Sequence, residues 1–473
     1  MMNVARLVHP GFWFGKTPLE EALKLAKRGV GGFCLYGGTR GEITQFTKAV
    51  RQASPLPYLL ISADYEDGLG RWVPDAPLLP SNMAIGAAGD ENLAFEKGFL
   101  TALQARSLGV DWVFAPVLDL ANNPLNPIVN TRAFGQDSQT VISLASAFID
   151  GLKKGGALNS LKHFPGHGDT TTDSHLSLPV LHKTYAQLCA TELVPFQALL
   201  AKADSVMAGH LLLPEIDPDF PASLSQKILK EILRRKMNYR GCLLTDALLM
   251  KAIGDEKQAA LGALNAGADI LLVPENPFTL IDFLEGQAIS AQILSRSEKI
   301  QNELCTKAQQ LPRPTENEAF APSDLNRKTA QQAIVQLGQV CSFKPTDSVA
   351  YLEIGNTANT SCAPFLDVLR KSGIQVHPYP AQADHLIILC FRRYQAFQGT
   401  VTLQDKEKQL LADAAKKYPN VCAILFASPW ALKDILQANT QLYTFSPAPE
   451  FQQQAAQILL GRQGALGTLP VFL

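Results

Sequence analysis

Eight apolar runs of strand length recur through the first 310 residues, separated by stretches of helical period, and this alternation constrains the fold more than any other feature. The runs are LVHPGFWF from Leu7, GGFCLYG from Gly31, PYLLISAD from Pro57 and DWVFAPVLDL from Asp111. Four more follow: ALNSLKHF from Ala157, SVMAGHLLL from Ser205, GCLLTDALLM from Gly241 and ADILLVPEN from Ala268. Helical spacing fills the gaps, as over Leu19 to Lys27 and Glu91 to Leu108. Strand and helix alternating in this way fit a (β/α)₈ TIM-type barrel, which needs about 250 residues. A doubly wound open sheet is the alternative, but no G-x-G-x-x-G turn follows the first run.

Residues 1–310 are therefore expected to form the barrel. The stretch 311–329, rich in Pro, Glu and Asn, reads as a linker. Strand-like runs resume with SVAYLEIG from Ser348, HLIILCF from His385, VCAILFAS from Val421 and QLYTFSP from Gln441, with a helix expected over Asp405 to Lys417. Residues 330–473 are thus expected to form a smaller α/β sandwich domain.

Charge narrows the class of partner. Lys plus Arg number 42 against 43 Asp plus Glu, a net charge of −1, so neither a nucleic acid nor an anionic membrane is an expected partner. No obligate protein partner is implied. The eight cysteines form no C-x-x-C pair, and several sit in apolar runs, as Cys242 and Cys390 do. They read as buried reduced thiols in a reducing compartment. The first residues, MMNVARLVHPGFWFGKTP, lack the apolar core of a secretory signal, and no run reaches the 18 apolar residues of a membrane span. A soluble cytoplasmic protein is the expectation.

Polar residues close several of the apolar runs. Asp64 ends the third, Lys162 and His163 the fifth, His210 the sixth and Asp246 the seventh. Parallel barrel strands point one way, so these groups are expected on one rim, where barrel enzymes keep their active sites. A polar residue at a strand end is as often a cap on the core; four together point to a site.

The segment KHFPGHGDTTTDSHLSLP, Lys162 to Pro179, packs His163, His167, Asp169, Asp173 and His175 among Gly, Pro and Thr, so it is expected to be a loop. Two chemistries fit those residues. One is a metal site, since His and Asp are good ligands, although the spacing is irregular and lacks a helical i, i+4 pair. The other is acid/base work: Asp173 lies two residues from His175, close enough to orient one ring nitrogen while the other moves a proton near neutral pH. The spacing favours the second. Asp246, between Thr245 and an apolar run, suits a carboxylate nucleophile facing an anomeric carbon; a helix N-cap is the bland reading.

These residues resemble glycoside hydrolase family 3, and most its bacterial β-N-acetylglucosaminidase branch. The resemblance rests on KHFPGHGDTTTDSHLSLP, supported by DYEDGLGR from Asp64, NPIVNTRAFGQD from Asn126, MAGHLLLP from Met207, PASLS from Pro221 and LLTDALLM from Leu243. LFASPW from Leu425 and GALGTLPVFL from Gly464 extend it into the second domain. It implies Asp246 as nucleophile and His175 as general acid/base with Asp173 as its partner. It assigns Asp64, Arg132, Lys162 and His163 to the terminal sugar's hydroxyls, with Arg71 and His210 also at the pocket. Two departures stand out: the family's usual D-x-E-G-G-R is here Asp64-Tyr65-Glu66-Asp67-Gly68-Leu69-Gly70-Arg71, and Ala247 stands where a second Asp often follows the nucleophile.

The resemblance implies removal of terminal N-acetylglucosamine from cell-wall, muropeptide-type glycans by double displacement, a step of peptidoglycan recycling, with no cofactor and no metal. Because a neutral imidazole does not repel an anionic acceptor, a phosphorylase using the same site is an alternative. A metal-dependent hydrolase built on His163, His167 and His175 is another, and a non-catalytic sugar-binding barrel a third.

Overall fold

The computed structural model describes residues 3–174, 176–339, 343–344, 346–355, 361–392, 402–433 and 438–473. Each of the eight apolar runs carries a strand. In chain order these are β1 (Val8–His9), β2 (Gly11–Trp13), β3 (Gly32–Tyr36), β4 (Leu60–Ala63), β5 (Trp112–Val113), β6 (Ser160–Phe164), β7 (Ser205–Ala208), β8 (Cys242–Thr245) and β9 (Leu271–Leu272). β1 and β2 are halves of one strand broken at Pro10, which has no N–H to give to a ladder.

The strands close into a ring. β2, β3, β4 and β5 pair in parallel, as do β6, β7 and β8. Parallel bridges Trp112–Leu158 and Leu244–Ile270 join these two arcs to each other and to β9. β9 then pairs with β1 through Val8–Leu271 and His9–Leu272. Alternate residues face alternate cores. Leu60, Trp112, Met207, Cys242 and Leu244 fill the barrel interior, while Ile61, Val113, Val206 and Leu243 pack outward on the helices. Burial on both faces is why these strands read as continuous apolar runs rather than as alternating ones. The helices carry local signals too. A capping box at Thr39 and Glu42 starts Arg40–Ala53, and Gly29, at φ 90°, ends Leu19–Arg28 in a left-handed turn.

The second unit is a six-stranded sheet of β10 (Val335–Gly338), β11 (Ser348–Ile354), β12 (Gln375–Pro378), β13 (His385–Cys390), β14 (Asn420–Leu425) and β15 (Thr440–Tyr443). Its order is β10-β15-β14-β13-β11-β12, parallel except for β10. The four inner strands are those visible as apolar runs. β10 and β12 are the sheet edges, and their exposed residues leave no apolar pattern to read. One face of the sheet, with Leu386, Ile388 and Cys390, packs on Met83, Ala84 and Ala87 of the helix Asn82–Ala88 and on Val129 and Ala133. The other, with Ile387 and Leu389, packs on the helices Ala363–Lys371 and Pro449–Leu459.

Residues 311–329, read from composition as a linker, instead hold the helix Glu316–Ala319 and the first turn of Leu325–Ala333. Asn326 donates to the Leu78 carbonyl at 3.0 Å and Leu325 joins the barrel's core cluster, so the segment is docked. Polar composition hid one apolar helix face. No described helix is long and apolar enough to cross a membrane. The seven described cysteines are free, six of them buried.

Candidate active site

A pocket enclosing about 120 Å³ opens at the carboxyl ends of the barrel strands. Its lining includes Tyr36 at the end of β3, Asp64 and Glu66 beyond β4, Lys162 and His163 in β6, Asp246 beyond β8, and Arg71, Trp72, Arg132, His167 and Ser174 from the connecting loops. The expected strand-end residues Asp64, Lys162, His163 and Asp246 therefore converge, joined by Arg71 and Arg132.

Lys162 and His163 are sequence neighbours, yet both line the pocket. In a regular strand they would face opposite sides. The register of β6 against β7 shifts between Leu161 and Phe164, and the alternation breaks at that point.

Glu66 is the hub of the site's charge network, and the sequence reading passed over it. Arg132 grips it with two bonds, Nε to Oε2 at 2.8 Å and Nη2 to Oε1 at 2.7 Å. Lys162 Nζ lies 2.5 Å from Glu66 Oε1 and 2.7 Å from Asp64 Oδ1. Burial pushes the Glu66 carboxyl up, but the charges of Arg132 and Lys162 outweigh it and hold the group well below the usual carboxylate range. Burial likewise lowers Lys162, and Asp64 and Glu66 more than offset it, so its ammonium is raised. Both cations stay charged in a nearly closed site. The sequence signals for Glu66 were its place two residues after a strand-ending Asp and its match to the Glu of the D-x-E-G-G-R string.

Asp119, also missed, sets the state of His163. Asp119 Oδ2 lies 2.6 Å from His163 Nδ1, and Arg132 Nη2 is 3.1 Å from His163 Nε2. A guanidinium only donates, so Nε2 accepts and Nδ1 carries the proton given to Asp119. The other Asp119 oxygen accepts the backbone N–H of His167 at 2.7 Å. Burial raises this carboxyl, but His163 and His167 bring it below its ordinary value.

The loop after β6 is pinned at both ends. Asn126 donates to the carbonyls of His167 and Gly168 at 2.8 and 3.1 Å, while its own oxygen accepts from Ile128 and Val129 on the way to Arg132. Lys183 binds Asp169 at 3.0 Å and Glu192 at 2.5 Å. Between the pins, Asp173 and Ser174 are buried and Ser174 lines the pocket. The expected acid/base, His175, lies outside the described residues. Asp246 is partly exposed at the mouth, and its Oδ1 accepts the Ala247 N–H at 2.8 Å.

His210 does not line the pocket. It is fully buried, with Nδ1 2.7 Å from Ser223 Oγ and Nε2 3.1 Å from the Ala247 carbonyl. Its strand-end position signalled a site group; its hydrogen bonds instead brace the turn that carries Asp246. Trp72 and Tyr36, meeting edge-on at 5.4 Å, supply an aromatic wall that the sequence reading also missed. The two described histidines of the candidate metal set are engaged in other bonds. His163 has both ring nitrogens bonded and His167 has Nδ1 on Thr170 at 2.9 Å, and among the described residues no three His, Cys, Asp or Glu converge as ligands.

Fold and site together set a carboxylate at the mouth of a barrel pocket, above a bonded cluster of Asp, Lys, Arg and His and beside an aromatic wall. The family model described as "Glycosyl hydrolase family 3 N terminal domain" matches residues 2–304. A β-hexosaminidase of Tolumonas auensis is 37% identical over 278 residues, covering 56% of this chain and 82% of that protein. One from Haemophilus influenzae (strain PittEE) is 34% identical over 299 residues, covering 60% and 84%. Among solved structures, a family 3 β-N-acetylglucosaminidase from Paenibacillus sp. str. FPU-7 superposes with a TM-score of 0.87 at 26% identity over 100% of this chain and 98% of that one. A β-glucoside phosphorylase superposes with a TM-score of 0.91 at 23% identity, over 99% and 93%, a likeness of fold. The chain belongs to glycosyl hydrolase family 3, and it is a glycoside hydrolase.

Proposed function

We propose that the protein is a retaining β-N-acetylglucosaminidase that releases terminal N-acetylglucosamine through a covalent glycosyl-enzyme. The observation that carries this reading is that Asp246 and Ser174 line one pocket with Asp64, Arg71, Arg132, Lys162 and His163. The curated relatives' name, β-hexosaminidase, supplies the sugar.

Asp246 attacks the anomeric carbon as His175 protonates the departing oxygen, and Asp173 holds the imidazole and stabilises its charged form. Neutral His175 then takes a proton from water as the glycosyl bond to Asp246 breaks. Lys162, fixed by Asp64 and Glu66, and Arg132, fixed by Glu66, hold the hydroxyls rigidly, and such positioning lowers the barrier. Trp72 and Tyr36 offer apolar surface to the pyranose face. Cell-wall, muropeptide-type glycans are the proposed substrates. A reducing, cytoplasmic setting is supported by the free buried thiols.

The test is hydrolysis of 4-nitrophenyl β-N-acetylglucosaminide against the β-glucoside, with and without phosphate, using Asp246→Ala and His175→Ala as controls. Preference for the N-acetylglucosaminide, independent of phosphate and lost in both variants, is the expected result. A product that becomes a sugar 1-phosphate would instead make the enzyme a phosphorylase.

A further inference from the structure

Of the residues lining the pocket, His167 keeps a buried ring nitrogen, Nε2, with no hydrogen-bond partner among the described residues. The rest of the residue is held firmly. Its N–H goes to Asp119 at 2.7 Å, its carbonyl receives Asn126 at 2.8 Å, and its Nδ1 lies 2.9 Å from Thr170 Oγ1. The side chain is 1% exposed, so bulk water does not satisfy Nε2. A buried polar nitrogen left unmade is costly, and one on a firmly held ring that lines a pocket suits a ligand atom.

Position in the pocket narrows which atom. The bonded group of Asp64, Glu66, Arg132 and Lys162 serves the sugar's distal hydroxyls in the reading above. His167 borders that group through His163, whose ring centroid is 6.1 Å away, but it also lies in the loop that carries Ser174, and the Asp246 carboxylate is near enough to act on its charge. That places it toward the anomeric end. There a pyranoside offers its ring oxygen, the glycosidic oxygen already assigned to His175, and the substituent on carbon 2, which leaves the last as the projecting polar group for His167. Burial, the largest influence, lowers the His167 ring to about 4, so at neutral pH it is an uncharged imidazole suited to an amide or hydroxyl.

We propose that His167 Nε2 hydrogen-bonds the carbon-2 substituent of the bound sugar and so contributes to selection of an acetamido sugar over one without a polar group there. This rests on the proposed glycosidase reading. The measurement is kcat/KM for wild type, His167→Phe, His167→Ala and His167→Gln on three 4-nitrophenyl β-glycosides: the N-acetylglucosaminide, the glucoside and the 2-deoxyglucoside.

The expected result is a loss of about 10- to 100-fold for His167→Phe and His167→Ala on the N-acetylglucosaminide, with the 2-deoxyglucoside changed by less than about 3-fold. His167→Gln, which restores a polar atom at a similar reach, should recover most of it, and added imidazole should partly rescue His167→Ala. Equal losses on all three substrates, or no loss on the N-acetylglucosaminide, would overturn the proposal. A wild-type enzyme inactive on the N-acetylglucosaminide would bring down the parent reading instead, a separate and recognisable failure.

Discussion

Asp119 and His163 form a buried pair at 2.6 Å that holds the histidine as the Nδ1–H tautomer, so that Arg132 meets a lone pair at Nε2. Replacing Asp119 by Asn would weaken the acceptor for that proton and loosen the ring Arg132 leans on. Asp119→Asn should lower kcat/KM by about 10- to 100-fold, the scale of a lost hydrogen bond to a charged group. Nitrogen-15 NMR of the ring should show the tautomer mixing. An unchanged rate with an unchanged ring spectrum would remove Asp119 from the site.

The Glu66 network makes stability depend on pH at both ends. The Glu66 carboxyl is held well below its ordinary value, so its contribution is complete above roughly pH 4–5 and disappears as pH falls toward the depressed folded value. The raised Lys162 contributes fully below roughly pH 10 and fades as pH rises beyond it. Glu66→Gln breaks a buried ionic cluster and should cost about 3–5 kcal/mol at neutral pH. Denaturant melts at pH 7 and pH 3 check this: the gap between wild type and variant should narrow at the lower pH. A constant gap would argue against the charge account.

Lys183 reaches both Asp169, in the loop that carries Asp173, and Glu192, the residue before the helix Leu193–Leu199. Removing this cation should loosen the acid/base loop more than the sugar grip. Lys183→Met should cost about 10-fold in kcat/KM on aryl glycosides with poor leaving groups and little on dinitrophenyl glycosides, which need no proton. A uniform loss across leaving groups would mean a general structural role.

Asp246→Ala should abolish turnover by about 10⁴-fold or more while leaving the unfolding temperature near that of wild type, because Asp246 is partly exposed at the pocket mouth. Kinetics and calorimetry on one preparation suffice. Substantial residual activity in Asp246→Asn would point to attack by the substrate's own acetamide.

Much of this was legible beforehand. Eight barrel strands and four inner strands of the second sheet showed as apolar runs, because strands buried on both faces must be apolar throughout. The edge strands β10 and β12 were silent because one side of each meets solvent. The docked helices in residues 311–329 were hidden because a short helix on a surface needs only one apolar face.

The sequence by itself determined the barrel repeat and the rim on which Asp64, Lys162, His163 and Asp246 gather. Those follow from strand period and chain direction, which are local properties. Only the tertiary structure decided that Glu66 ties Arg132 to Lys162, that Asp119 sets the proton on His163, that His210 braces rather than lines, and that His167 aims an unbonded nitrogen inward. Each of these is a contact between groups tens of residues apart or a question of which way a buried ring faces. Such contacts depend on the closed ring of strands, and no window of sequence contains them.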